Sequence, residues 1–177
     1  LILSTAVFLR LYKIATIPPG LTHDEADHGI TAWSIANDGV RDLYFTIGYG
    51  REPLYDYITA VLMKITGPSY LAGRLIAAWA GILLVAALYR WVRDAFDERT
   101  ALYTAAGIAV GFWAMATSRQ ALRSELLPLL FTLAMLFYWK GIRDRGLGLG
   151  KFVVAGIFLG LTFYTYIPSR GLWFVFP

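Results

Sequence analysis

Long uncharged apolar runs alternate along this chain with short stretches that hold nearly all of its charged residues. Thr100 to Ser118, Leu75 to Tyr89 extended by Trp91 and Val92, and Phe152 to Ser169 are free of charge. Each approaches or meets the roughly 20 apolar residues of a bilayer-crossing helix. Leu126 to Trp139 is shorter, but Glu125 and Lys140 flank it with side chains long enough to reach an interface. Leu1 to Leu9 reads as the interior of a further helix. The pattern predicts an all-α, polytopic membrane helix bundle with about five spans, at 1–17, 71–92, 100–118, 124–140 and 151–169. Residues 18–70 form a long first loop carrying juxtamembrane helices. The whole is expected to be one N-terminal part of a larger membrane domain, cut at both ends: no initiator Met or charged leader precedes Leu1, and an apolar Leu172 to Phe176 run precedes Pro177.

Within the first loop, Pro53 to Thr66 is the only stretch that competes as a span. Asp56 and Lys64 interrupt it, and its uncharged part, Tyr57 to Met63, is far too short to cross. It is expected to lie along the membrane surface as an amphipathic helix. That assignment sets the parity of every later connection. The first loop, the Thr117 to Glu125 turn and the Tyr164 to Arg170 end then share one face. The other face holds Arg90, Arg93, Arg99, Lys140, Arg143, Arg145 and Lys151 in two short connections. Dense Lys and Arg mark the cytoplasmic side, which places the first loop on the outer face of, in all expectation, the plasma membrane.

Composition supports this class: 58% of the residues are hydrophobic and only 16% charged, so a soluble domain is disfavoured. The net charge of +4 is spread over both sides, which gives no basic patch for nucleic acid. Without Cys there is no disulfide framework or thiolate metal site. The first loop is acidic through Asp24, Glu25, Asp27, Asp38, Asp42, Glu52 and Asp56, whereas Arg10, Lys13, Arg119, Arg123 and Arg170 sit at helix ends facing it. Those basic residues run against the charge rule, and an anionic ligand would explain them.

The densest polar cluster is Thr22-His23-Asp24-Glu25-Ala26-Asp27-His28-Gly29, directly after Pro18-Pro19-Gly20. It opens a short predicted helix with Ile30, Trp33 and Ile35 as anchors, ending near Gly39. Three readings stand side by side. Thr22 and Glu25 have the spacing of a capping box, with Asp24 in the first turn where the helix dipole favours an acid. Alternatively, one carboxylate acts as a general base toward an acceptor hydroxyl. Thirdly, His23 with Asp27, or Asp24 with His28, could hold a divalent cation from i,i+4 positions, and no other cofactor is expected.

Pro-Pro-Gly followed by His-Asp-Glu-Ala-Asp-His-Gly closely resembles the first-loop Asp-Glu motif of the glycosyltransferase C superfamily, in particular the branch of protein O-mannosyltransferases and lipid A aminoarabinose transferases. Gly50-Arg51-Glu52-Pro53-Leu54 resembles that branch's basic-Pro-Pro-Leu element, with Glu52 in place of the first proline. Arg74-Leu75, Ser118-Arg119 and Thr162-Phe163-Tyr164-Thr165-Tyr166 follow in the same order. The likeness runs from about Arg10 to Arg170.

The resemblance implies an integral membrane enzyme that takes a sugar from a polyprenyl phosphate on the outer leaflet. It passes that sugar, with inversion, to a protein or glycolipid acceptor. It maps the base to Asp24, with Glu25 as the neighbour that orients or tunes it, and a second acidic position to Glu125, where the branch has Asp. Arg guanidinium groups bind phosphate through paired charge-assisted bonds, so Arg51, Arg119, Arg123 and Arg170 are candidates for the donor phosphate. Arg119 and Arg123 would share one headgroup if a helix continues through both. His28, Glu52, Tyr164 and Tyr166 are candidates for substrate contact. Tyr44, Phe45, Tyr49, Tyr55 and Tyr57 serve equally well as an interfacial aromatic belt. The rival functions are a transporter or flippase of lipid-linked sugars and a non-catalytic membrane subunit. Transporters more often carry ionisable residues at the bilayer midplane, and the spans here keep their middles uncharged.

Overall fold

A computed structural model describes residues 1–46, 50–144 and 148–174. Tyr49, Arg145 and the end of the apolar run at 175–177 lie outside the described residues. The protein is all-helical: among the described residues there is no strand, only one isolated antiparallel bridge between Phe45 and Arg51. Helix α1 spans Ile2–Leu11, α2 His23–Asn37, α3 Leu54–Thr66, α4 Tyr70–Ala95, α5 Glu98–Val110, α6 Phe112–Thr117, α7 Leu126–Arg143 and α8 Leu149–Thr162. A 3-10 turn at Arg123–Glu125 leads into α7, and another runs over Ile167–Phe174.

Two stretches are long and apolar enough to cross a membrane, Tyr70–Ala95 and Arg123–Arg143. Helices α1 and α8 are apolar but shorter. The uncharged run 100–118 does not form one helix. It breaks at Gly111, where ψ of 129° turns the chain out of the helical path so that the residues after it cannot continue α5, and α6 starts afresh. The last run also stops early, at Thr162 rather than Ser169. The hydroxyls of Thr162 and Thr165 donate to the carbonyls of Leu159 and Thr162 (2.6 Å each), and Pro168 disfavours continued α-helix through Ile167, where a 3-10 turn begins instead. Helix α3 is 13 residues long, about 20 Å at helical rise, well short of the hydrocarbon thickness. It begins after Pro53 and ends at Gly67, whose φ of 85° a residue with a Cβ would resist.

Small residues let the helices approach. Ala77, Ala78, Ala80 and Gly81 of α4 are buried, and a Cβ on Gly81 would come within 2.6 Å of the Ser118 Cβ. Polar ties then show which connections meet. Arg119 donates to the carbonyls of Leu9, Arg10, Tyr12 (2.8 Å) and Ile17 (2.9 Å), gathering the end of α1 onto the segment after α6. The Leu54 N-H donates to the Tyr164 carbonyl (3.0 Å), bringing the end of α8 to the start of α3. At the opposite end, Trp139 and Arg143 both donate to the Asp94 carbonyl (3.0 and 2.7 Å). The first loop, the Ser118–Glu125 segment and the Tyr164–Arg170 segment therefore sit at one end of the bundle, as the parity of the connections predicts.

Candidate functional site

The polar cluster of the first loop folds as a helix start. The Thr22 hydroxyl accepts from the Glu25 N-H (3.2 Å), and the Glu25 carboxylate accepts from the Thr22 N-H (3.0 Å), a complete capping box. Glu25 does more than cap. It is 3% exposed and accepts from Arg74 Nε (2.8 Å) and from the Ala121 N-H (3.1 Å). Burial pushes its carboxyl upward, but the bonds from Arg74, Thr22 and Ala121 and the charge of Arg74 outweigh that and hold it below the ordinary range. Arg74, fully buried, also donates to the carbonyls of Ile14 (3.2 Å), Pro18 (3.0 Å) and Gly20. One carboxylate and one guanidinium thus fasten α2, the exit of α1, the head of α4 and the segment before α7.

With Glu25 turned inward, Asp24 on the adjacent position points outward. It lines a cavity of about 380 Å³ together with His23, Asp27, His28, Arg51, Leu122, Arg123, Ser124 and Tyr166. No described residue forms a hydrogen bond or ion pair with the Asp24 carboxylate, which is exposed at the cavity rim. The floor is a buried charge network. Arg51 Nη2 donates to the Thr31 hydroxyl (2.6 Å) and the Asp27 carbonyl (2.9 Å), and Arg51 lies 3.7 Å from both the Asp27 and Asp56 carboxylates. Asp56, 0% exposed, bonds His28 Nδ1 at 2.6 Å. Opposite, Arg123 lies over the Tyr166 ring, 5.7 Å from its centroid.

The predicted site residues separate into groups. Asp24, His28, Arg51, Arg123 and Tyr166 converge on the cavity, with His23 and Asp27 beside them. Glu52 lies behind Arg123. It is buried, 3.8 Å from both Arg123 and the exposed Arg170, and neither of its oxygens has a hydrogen-bond partner. Tyr164 contributes its backbone carbonyl to α3, while its side chain faces outward.

Two residues sit elsewhere. Arg119 does not pair with Arg123, because the helix ends at Thr117 and the chain turns before the 3-10 turn at Arg123. Its guanidinium is bound by four backbone carbonyls of α1 and its exit. Glu125 turns into the bundle toward Gly81, where Arg10 and Ser118 also arrive.

His23 Nδ1 and Asp27 Oδ2 approach to 3.5 Å. Two donors fall short of the three or four protein ligands of a zinc site, and no group of three His, Cys, Asp or Glu gathers among the described residues. Asp56 and Arg74 are the residues that reading the sequence for sites passed over. Asp56 counted there as one of the loop acids and as a charge that interrupts a span, and Arg74 only as part of a motif.

A family model described as dolichyl-phosphate-mannose-protein mannosyltransferase matches residues 51–174. The match begins at Arg51, so the Asp-Glu segment precedes it while Arg51, Asp56, Arg74, Arg123 and Tyr166 fall within it. No curated protein and no solved structure matches the chain.

Proposed function

Because this chain belongs to the dolichyl-phosphate-mannose-protein mannosyltransferase family, a membrane-integral family of glycosyltransferases, we propose that it transfers a sugar from a polyprenyl phosphate to an acceptor hydroxyl in the cavity at the first-loop end of its bundle. The acceptor is a protein or a glycolipid. The observation that carries this reading is an unpartnered carboxylate, Asp24, across one cavity from the guanidinium groups of Arg51 and Arg123.

The chemistry divides between those groups. Asp24 takes the proton of the acceptor hydroxyl as its oxygen bonds the anomeric carbon from the face opposite the leaving group, inverting that centre. The bond from that carbon to the phosphate oxygen breaks, and the electron pair leaves with the phosphate. Arg123 is the principal group for that phosphate. Among the described residues its partners are the Tyr166 ring and Glu52 at 3.8 Å, whereas Arg51 is held by Thr31 and Asp27 and fixes the cavity floor. Arg170, exposed beside Glu52, is a further cation for the phosphate in this reading. Glu25 positions Asp24 rather than touching substrate.

In this reading α1, α4, α5 with α6, α7 and α8 make five spans, α2 and α3 lie at the interface, and the site faces outward. The short basic connections at the opposite end support that orientation. The test is transfer of radiolabelled sugar from a panel of polyprenyl-phosphate sugars by the whole protein in membranes, with and without chelator. Transfer from at least one donor is expected, and its absence from every donor sinks the reading.

A further inference from the structure

We propose that His28, its tautomer set by Asp56, is the group that reads a hydroxyl of the donor sugar. This rests on the transferase reading above and extends it to sugar selectivity. His28 lies one helical turn beyond Asp24 on α2, where residues four apart share a face. The two differ in depth. Asp24 is exposed at the rim, whereas His28 is 4% exposed and still lines the cavity.

The imidazole is held on two sides. Its Nδ1 meets Asp56 Oδ1 at 2.6 Å, and its ring packs edge-on to Tyr55 with centroids 5.2 Å apart at 70°. Tyr55 is itself fixed, since its hydroxyl donates to the Gly73 carbonyl at 2.7 Å. An ionised carboxylate only accepts, so Nδ1 carries the ring proton. In the neutral ring Nε2 is then left with a lone pair, and no described residue donates to it. The cavity floor therefore presents a fixed acceptor open to the cavity, which a bound sugar would bury. The group that satisfies it is a hydroxyl, and a buried acceptor left unpaired costs binding.

Depth assigns the hydroxyl to the donor. The nucleophile must reach Asp24 at the rim, so the sugar occupies the space below it, between His28 and Tyr166. A site built this way tolerates loss or replacement of that hydroxyl poorly, because neither hydrogen nor fluorine donates. His28 is a substrate-contacting residue in this proposal, and Asp56 is a positioning residue acting through it.

The test uses the whole protein in membranes with polyprenyl-phosphate mannose and its 3-, 4- and 6-deoxy and deoxyfluoro counterparts. Wild type is expected to use the analogues altered at one position roughly 10- to 100-fold less efficiently in kcat/KM, the size of an unpaired buried group. His28→Phe should bring that ratio to near unity. Asp56→Asn separates the positioning role from simple packing. Its amide can donate to Nδ1, which moves the ring proton to Nε2; the native hydroxyl can then accept from it, and fluorine is no longer set against a lone pair, so this near-isosteric variant should gain relative use of the fluorinated analogue.

Unchanged ratios in both variants overturn the proposal, as does a wild type indifferent to every position. A rise in acceptor KM with donor ratios intact would assign His28 to the acceptor hydroxyl instead and also overturn it. These outcomes all require a working transferase. Failure of the wild type with every donor is the separate result that removes the reading beneath it.

Discussion

Arg74 and Glu25, 49 positions apart, meet through a 2.8 Å Nε to Oε1 hydrogen bond with both side chains buried. The same carboxylate holds the start of α2 and the Ala121 N-H, and the same guanidinium holds three carbonyls at the α1 exit. Removing either partner leaves a buried charge uncompensated. Arg74→Ala and Glu25→Ala are each expected to destabilise the protein by about 3–5 kcal/mol. Denaturation in detergent micelles checks this, and the double variant should cost less than the sum of the two.

The pair also sets an acid limit. Glu25 titrates in the fold below its ordinary value of 4.5, so its ionised form is the stabilising one. That contribution is fully present above the unfolded value and is lost as pH falls through the lower folded value. Unfolding midpoints measured from neutrality down to about pH 3 should fall in wild type once the ordinary glutamate range is passed. Glu25→Gln should start lower and show a shallower slope.

Asp24 should behave in the opposite way to its neighbour. Asp24→Asn removes no contact of the fold, so its melting temperature should match wild type. Transfer should fall by roughly 10²- to 10⁴-fold, the range for loss of a general base. Full activity in this variant would assign the base elsewhere in the cavity.

Arg119 and Arg123 are expected to part company. Arg119→Ala abandons four carbonyls and should lower stability, with activity following the folded fraction. Arg123→Ala leaves buried Glu52 with Arg170 as its neighbouring cation and should cost some stability, but per folded molecule it should reduce kcat/KM for the lipid donor roughly 10- to 100-fold, the loss of one charge-assisted bond to phosphate. Comparing melting curves with donor kinetics distinguishes the two.

Orientation can be read directly, because the chain has no Cys. Single substitutions Asp38→Cys and Glu98→Cys occupy exposed positions at opposite ends of the bundle. In intact cells a membrane-impermeant maleimide should label the first and spare the second. The reverse pattern would turn the site inward.

The sequence revealed the order of elements and the clustering of loops at one end, because apolar run length and proline position are local signals. The capping and catalytic readings of the Asp-Glu pair competed in the sequence; the fold assigns the cap to Glu25 and leaves the Asp24 carboxylate without a partner among the described residues, available for the proposed role. Where the reading missed, the cause was either a break or a distant partner. Thr117 to Gln120 contains neither Gly nor Pro, so nothing local announced the end of helix that separates Arg119 from Arg123. Asp56 and His28 are 28 positions apart, on two helices whose crossing no periodicity specifies. Arg74 stood in the sequence only as part of the Arg74-Leu75 motif, and it is fully buried, bound by Glu25 and by the backbone of the α1 exit.

The break at Gly111 has a consequence for assembly. The Ile108 and Ala109 carbonyls just before it accept from Arg10 Nη2 and Nη1 (3.1 and 3.0 Å). In the five-span arrangement those oxygens lie within the bilayer, where an unsatisfied backbone group costs several kcal/mol. The chain emerges N-terminus first, so the arginine that closes the later helix is inserted about a hundred residues before the gap it closes, a count of the same order as the 99-residue separation of Arg10 and Ala109. The first helix thus serves as a resident template. A chain that begins beyond it is expected to insert with an open seam and to be cleared by quality control rather than to assemble as a smaller, working core.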